Sequence, residues 1–293
     1  MTEENGKREI RTIGVVGAGV MGQGIIQVFL QGGFRVVFFD ANADAAEKAR
    51  QAIIGRLQKK KDRGEIDDGQ LAGLLLRLWS TTLLSGLVEA DLIVEAAYEK
   101  FEVKVDIFKQ LDEICPLDVI FATNTSSISI GDLAATTTRP DRFIGMHFMN
   151  PPTHVSLIEL IRGRGTSDET FQTIYELSQI IGRKVIVQSE DRPAFIANRV
   201  LMTAINEAIR TVHLNIASAE DVNQTILLGV GTSKAMPILE LADLIGLDIC
   251  LDILLVMLGG LGEKYAPCPL LKEMVAAGKL GRKSGEGFFK YQK

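Results

Sequence analysis

Residues 10–31, IRTIGVVGAGVMGQGIIQVFLQ, decide the fold. The first eight, 10–17, are mostly apolar and end in glycine, which is typical of a buried parallel strand. After Val20 the apolar residues recur at helical spacing; they are Met21, Ile25, Val28 and Phe29. A second apolar run, 35–39 (RVVFF), follows and predicts another strand. The order strand, helix, strand predicts a parallel sheet with a right-handed crossover.

The turn between the first strand and its helix carries a glycine pattern. Gly17, Gly19 and Gly22 fit G-x-G-x-x-G where a dinucleotide site needs it, after a buried strand and at the start of a helix. Such a helix start offers N–H groups and a positive dipole end to a pyrophosphate. Asp40 closes the second strand, where a carboxylate accepts hydrogen bonds from ribose hydroxyls and repels a 2′-phosphate. We therefore expect a Rossmann-type domain that binds NAD in preference to NADP.

The rest of the chain separates into an α/β part and a helical part. Strands are predicted near 79–81, 91–95, 119–123, 143–149, 155–161 and 184–188, with helices between them. Beyond residue 190 the apolar spacing is helical, at 191–214, 219–228, 239–258 and 270–277. The predicted fold is thus a mostly parallel α/β domain at residues 1–189, followed by an all-α domain at 190–293 that binds substrate and forms the dimer.

Composition excludes some classes of function. The chain has 293 residues, a net charge of −5 and no basic excess, so nucleic acid is not expected as the main partner. Its three cysteines are scattered, and with no His/Cys/Asp cluster in sight we expect free thiols in a reducing compartment and no metal. The most apolar late stretch, 245–261, contains two aspartates and predicts a buried helix and not a membrane span. The N-terminus shows no targeting pattern, so we expect a cytoplasmic protein.

Four further segments resemble signatures of the 3-hydroxyacyl-CoA dehydrogenase family. They are 123–127 (TNTSS), 145–151 (GMHFMNP), 241–248 (LADLIGLD) and 281–288 (GRKSGEGF). The family resemblance covers nearly the whole chain. The members that the chain most resembles are bacterial and act on 3-hydroxybutyryl-CoA. It implies NAD-dependent, reversible oxidation of a (3S)-3-hydroxyacyl-CoA, of short chain, to the 3-ketoacyl-CoA.

The resemblance also implies roles for individual residues. His147 is implied as the catalytic base, Glu159 as the partner of its other ring nitrogen, Ser126 as a hydrogen-bond donor to the 3-oxygen, and Asn198 as a further contact there. Glu99, Lys104 and Asn150 are implied along the nicotinamide and its ribose. Imidazole suits the task, because it exchanges protons near neutral pH and a carboxylate partner fixes its tautomer.

Two segments depart from the family pattern, and both are expected to border the substrate. In 152–156 Ser156 stands where the family has lysine, and 233–238 is SKAMPI where many members have Asn-His-Pro-Met-Gly-Pro, so a changed Gly and Pro alter the allowed backbone angles. A longer or carboxylated acyl group therefore stays open. So do two other functions: dehydrogenation of a non-CoA 3-hydroxy acid, and dinucleotide binding without catalysis.

Two surface features complete the predictions. The helix with Arg50, Arg56 and the lysines 59–61 is either a cover for the CoA phosphates or a solvated face. The helical domain is rich in large apolar residues, including Ile249, Leu251, Ile253, Leu254 and Leu255. Helices that are apolar over most of their surface must be buried, so a homodimer is expected, with a self-contained helical core as the alternative.

Overall fold

The computed structural model describes residues 9–229 and 236–292. The chain divides into two compact units, Met1–Asp191 and Arg192–Lys293. The first is an α/β unit and the second is helical. The predicted fold class, a Rossmann-type sheet domain followed by a helical domain, is confirmed.

The first unit is built on one sheet of eight strands in the order β3-β2-β1-β4-β5-β6-β7-β8. The strands are β1 Thr12–Val16, β2 Arg35–Phe39, β3 Leu78–Thr81, β4 Leu92–Glu95, β5 Ile120–Thr123, β6 Phe143–Phe148, β7 Leu157–Arg162 and β8 Val185–Glu190. Neighbouring strands are parallel except for the antiparallel pair β6 and β7. The link between those two strands is too short for the crossover that a parallel pair requires.

Helices cover the sheet of the first unit. They are α1 Val20–Gln31, α2 Ala43–Asp62, α3 Asp68–Leu75, α4 Phe101–Ile114, α5 Ile130–Ala134 and α6 Asp168–Ile180. The apolar side of α1, with Ile25 and Phe29, packs into the core formed by the buried strands. The side chain of Asn42 accepts the N–H of Ala45 and begins α2, as its sequence position predicts. Because β1, β2, β4, β5 and β6 are parallel, they end at the same edge of the sheet, and the loops that follow them lie there too.

The second unit is a cluster of helices around its own core. The helices are α7 Ala197–His213, α8 Ala219–Gln224, a π-helical turn at Thr225–Gly229, α9 Ile238–Ile245, α10 Leu247–Leu261 and α11 Pro269–Ala276. Asp243 is buried and accepts the N–H groups of Phe288 and Phe289 at 3.0 Å each. It thereby joins two of the signature segments, 241–248 and 281–288.

Two helix predictions in this unit are wrong in detail. The stretch 239–258 is not one helix: α9 and α10 meet at Gly246, whose φ is 106°, and are bent by 94°. The apolar spacing continues through Gly246, so periodicity alone does not locate the break. The first helix begins at Ala197 and not at 191, because Ala194 and Phe195 have φ of 64° and 46°. Such left-handed backbone cannot belong to an α-helix.

Among the described residues, no single helix is both long and apolar enough to cross a membrane. Only the bent pair α9 and α10 meets that test, by length and composition. The three cysteines are free and buried. Burial raises the pKa of Cys115 to about 11 and that of Cys250 to about 12, so both thiols are neutral at physiological pH.

Candidate active site

The glycine turn at the start of α1 has the shape that a pyrophosphate requires. Gly17 has φ of 97°, and a Cβ there would lie 2.7 Å from the carbonyl oxygen of Ala96. A Cβ on Gly22 would lie 1.9 Å from the carbonyl oxygen of Gly17, whereas one on Gly19 would meet no described atom within 4 Å. Within the described residues no side chain caps the N-terminus of α1. The turn therefore leaves open backbone at a helix start, which fits the phosphates of NAD.

Asp40 lies beside this turn at the end of β2. One carboxylate oxygen accepts the N–H of Ala18 and the other accepts that of Asn42, both at 3.0 Å. Each carboxylate oxygen has a second lone pair, so these bonds leave room for ribose hydroxyls. Asp40 thus fixes the glycine turn and places a carboxylate beside it, just after the end of β2.

His147 and Glu159 form a buried pair across the antiparallel strands β6 and β7. They are directly opposite in register, and Nδ1 of His147 lies 2.7 Å from a carboxylate oxygen of Glu159. Their side chains are 10% and 2% exposed. An ionised carboxylate only accepts hydrogen bonds, so in this contact the ring proton lies on Nδ1 of His147.

Ser126 belongs to the loop that follows β5, and Glu99 holds this loop. One carboxylate oxygen of Glu99 accepts the N–H of Ser126 at 3.1 Å and the hydroxyl of Ser127 at 3.2 Å, and it also accepts the hydroxyl of Thr125. Its other oxygen lies 3.2 Å from Nζ of Lys104. Burial raises the pKa of Glu99, but the Lys104 ammonium and the hydrogen bonds from Thr125 and Ser126 outweigh it and leave the pKa below its usual value.

Lys104 is enclosed and 1% exposed, with its ammonium between two carboxylates. The second carboxylate belongs to Glu95, which sequence reasoning did not single out; its oxygen lies 2.6 Å from Nζ. A carboxylate at the end of an otherwise apolar, fully buried strand was the available signal, since such a group needs a charged or hydrogen-bonding partner. Asn124 was also missed, and its side-chain oxygen accepts the N–H of Phe148 at 2.9 Å, next to His147.

The remaining predicted residues have separate places. Asn150 is exposed just after β6, and the altered segment 152–156 follows it. Arg183 fixes that segment by donating from Nη1 to the carbonyl oxygens of Pro152 at 2.9 Å and Val155 at 2.8 Å. Asn198 lies in the first turn of α7, in the second unit. Residues 233–235 of the other altered segment lie outside the described residues.

The basic helix α2 is partly paired within its own unit. Arg56 donates to the side-chain oxygen of Gln23 at 2.9 Å, and burial lowers the pKa of Arg56. Lys61 pairs with Asp68 at 2.7 Å, and Lys60 lies 3.7 Å from Glu65. These contacts leave both interpretations of this helix open.

Comparisons with known proteins show the family to which this chain is related. The model of the 3-hydroxyacyl-CoA dehydrogenase NAD binding domain matches residues 12–192, and that of the 3-hydroxyacyl-CoA dehydrogenase C-terminal domain matches 195–291. A probable 3-hydroxybutyryl-CoA dehydrogenase of Bacillus subtilis is 43% identical over 97% of this chain and 98% of its own. The 3-hydroxybutyryl-CoA dehydrogenase of Bradyrhizobium diazoefficiens is 44% identical over 97% of this chain and 96% of its own. The crystal structure of (S)-3-hydroxybutyryl-CoA dehydrogenase from Ralstonia eutropha is similar with a TM-score of 0.92 and 41% identity, covering 97% of this chain and 100% of that one.

Proposed function

The chain belongs to the 3-hydroxyacyl-CoA dehydrogenase family and is an NAD-dependent oxidoreductase, and we propose that it oxidises a short-chain (3S)-3-hydroxyacyl-CoA, such as 3-hydroxybutyryl-CoA, reversibly. The observation that carries the proposal is the buried pair of His147 and Glu159 at 2.7 Å. It lies on strands next to the loop that carries Ser126, at the edge where a Rossmann-type sheet binds its cofactor.

His147 is the proposed catalytic base. Its Nε2 takes the proton of the 3-hydroxyl group in oxidation and returns it in reduction. Glu159 accepts the Nδ1 proton, holds the ring in this tautomer and stabilises the imidazolium as it forms. Since both side chains are buried, little water competes for this interaction.

The other side chains orient the reacting carbon. Ser126 is proposed to donate a hydrogen bond to the 3-oxygen, and Asn198 to support the same region, so that negative charge on this oxygen is stabilised. NAD, held by the glycine turn and Asp40, supplies the chemistry of accepting hydride from C3. Glu99, Lys104 and Asn150 are proposed to line the nicotinamide half of the NAD site. Lys104 acts there through its ion pair with Glu99.

Exposed apolar residues of the second unit support a homodimer. Of the apolar residues of α10, Ile253 and Leu254 are buried in the unit's own core. A self-contained helical core therefore accounts for this part of the helix. Ile249 and Leu255 are 44% exposed each, and Val200 on α7 is 68% exposed. We assign this remaining apolar surface to a second copy of the chain.

We also propose a cytoplasmic location, which the free, buried thiols of the protein support.

The test is NADH oxidation with acetoacetyl-CoA by three proteins: the wild type, His147→Gln and His213→Gln. His213 lies in the last turn of α7 and serves as the matched control. We expect turnover by the wild type and the control, and loss of turnover with intact NADH binding in His147→Gln. Wild-type turnover that survives His147→Gln would refute the base. Wild-type NADH oxidation only with longer or carboxylated 3-ketoacyl-CoAs would refute the short chain, and oxidation only with free 3-keto acids would refute the thioester substrate.

A further inference from the structure

Glu95 carries a buried charge that the proposed chemistry does not use. It ends β4 and its side chain is 0% exposed. One carboxylate oxygen accepts from Nζ of Lys104 at 2.6 Å and from the N–H of Ala97 at 2.7 Å. The other accepts the hydroxyl of Thr123 at 2.6 Å. A buried carboxylate is costly unless it is compensated in this way, so these partners are held in fixed places.

These partners connect Glu95 to two loops at the carboxyl edge of the sheet. Lys104 lies between Glu95 and Glu99, and Glu99 in turn accepts the N–H of Ser126 at 3.1 Å. Thr123 accepts the N–H of Thr125 at 3.2 Å, in the same loop as Ser126. Removing Glu95 would therefore release the 96–100 loop and the 124–127 loop together.

By the sheet order, these two loops would lie beneath one half of a bound cofactor. The glycine turn follows β1, and Asp40, which would receive the adenosine ribose, follows β2. A bound dinucleotide would cross the switch point between β1 and β4, so its nicotinamide half would lie over the ends of β4 and β5. Glu95 and Thr123 are the last residues of those two strands.

We infer that Glu95 is a positioning residue for the nicotinamide half of NAD. Its carboxylate fixes the Lys104 ammonium, and through Lys104 and Thr123 it fixes Glu99 and the Ser126 loop. The inference rests on the placement of Glu99 proposed above, and it does not require an acyl-CoA substrate.

Charge gives this role a signature that simple structural support lacks. Glu95, Lys104 and Glu99 together carry one net negative charge, which favours the cationic ring of NAD⁺ over the neutral ring of NADH. Glu95→Gln makes the group neutral, Lys104→Met makes it doubly negative, and the double variant restores the wild-type charge. The ratio of the Kd of NAD⁺ to that of NADH should rise by about threefold to tenfold in Glu95→Gln, fall in Lys104→Met and return to the wild-type value in the double variant.

The experiment measures equilibrium binding of NADH by its fluorescence and of NAD⁺ by calorimetry, with no substrate present. We expect Glu95→Gln and Lys104→Met each to weaken NADH binding by about tenfold or more, and the double variant to be no weaker than the worse single variant. Additive losses, or the same Kd ratio in every variant, would overturn the inference. If Glu95→Gln does not fold, the test uses Lys104→Met and the double variant. An equal ratio of the Kd of NAD⁺ to that of NADH in these two variants would also overturn the inference.

The matched control is a second buried ion pair of the same unit. Arg139 and Asp112 lie 2.7 Å apart with side chains 2% and 9% exposed. Asp112 is in α4 and Arg139 contacts the end of that helix, at the carbonyl oxygen of Cys115. Asp112→Asn should lower the melting temperature and leave both cofactor Kd values within about twofold. If it weakens cofactor binding as much as Glu95→Gln does, general destabilisation explains both and Glu95 has no special role.

Discussion

Replacing Glu159 by glutamine tests the proposed mechanism at its most defined contact. The substitution keeps the size of the side chain and an oxygen that can accept the Nδ1 proton of His147. It removes the negative charge that lies 2.7 Å from that nitrogen. Only the charged state of the imidazole loses from this change, and that state forms as the substrate proton is transferred.

The size of the effect follows from the geometry. Two unit charges whose centres are about 4 Å apart interact by about 4 kcal/mol at an effective dielectric constant of 20. A hydrogen bond to a charged group contributes about 1.5–3 kcal/mol, and part of it survives because the amide oxygen still accepts. The expected loss is therefore about 2–4 kcal/mol, which lowers kcat about 30-fold to 1000-fold.

The assay is steady-state NADH oxidation at saturating acetoacetyl-CoA, with NADH binding and thermal unfolding measured on the same preparations. We expect kcat to fall while the Kd of NADH stays within about twofold, because β7 does not border the glycine turn. A kcat within about threefold of the wild type would refute the charge-stabilised imidazolium. A parallel loss of kcat and NADH binding would show instead that Glu159 supports the fold of the site.

Three further predictions, tested with four substitutions, follow from the structure. Gly22→Ala should lower the melting temperature, because its Cβ would lie 1.9 Å from a backbone oxygen. Gly19→Ala should leave the melting temperature unchanged and weaken NADH binding about tenfold. If the two variants have the same melting temperature and the same Kd of NADH, the glycine turn does not bind the phosphates. Asp40→Asn should raise the kcat/KM ratio of NADP to NAD about tenfold, and an unchanged ratio would remove Asp40 as the source of cofactor preference. Burial and the hydrogen bond to Asp243 raise the pKa of Tyr291 to about 12. This stabilisation is complete below the unfolded pKa of about 10 and is lost as pH rises toward the folded value, so Tyr291→Phe should flatten the melting temperature against pH in that window, and parallel curves would exclude Tyr291.

The sequence alone was enough for the sheet domain and its cofactor turn. The strand at 12–16, the helix after it and Asp40 follow from short-range rules, because apolar period, glycine spacing and the residue at a strand end are all local properties. The direct pairing of His147 with Glu159 is also nearly local, since a short link between two strands leaves little choice but an antiparallel hairpin. Their roles came from the resemblance to the family and stay predictions.

What the tertiary structure decided is which side chains share a charge and where a helix stops. Glu95, Lys104 and Thr123 come together because parallel strands end at one edge and bring distant residues within hydrogen-bond distance, which no spacing along the chain expresses. The bend at Gly246 and the left-handed backbone at Ala194 and Phe195 interrupt segments whose apolar period runs on without a break. Periodicity reports which face of a segment is buried, whereas backbone direction and buried charge pairs depend on the contacts that the whole fold supplies.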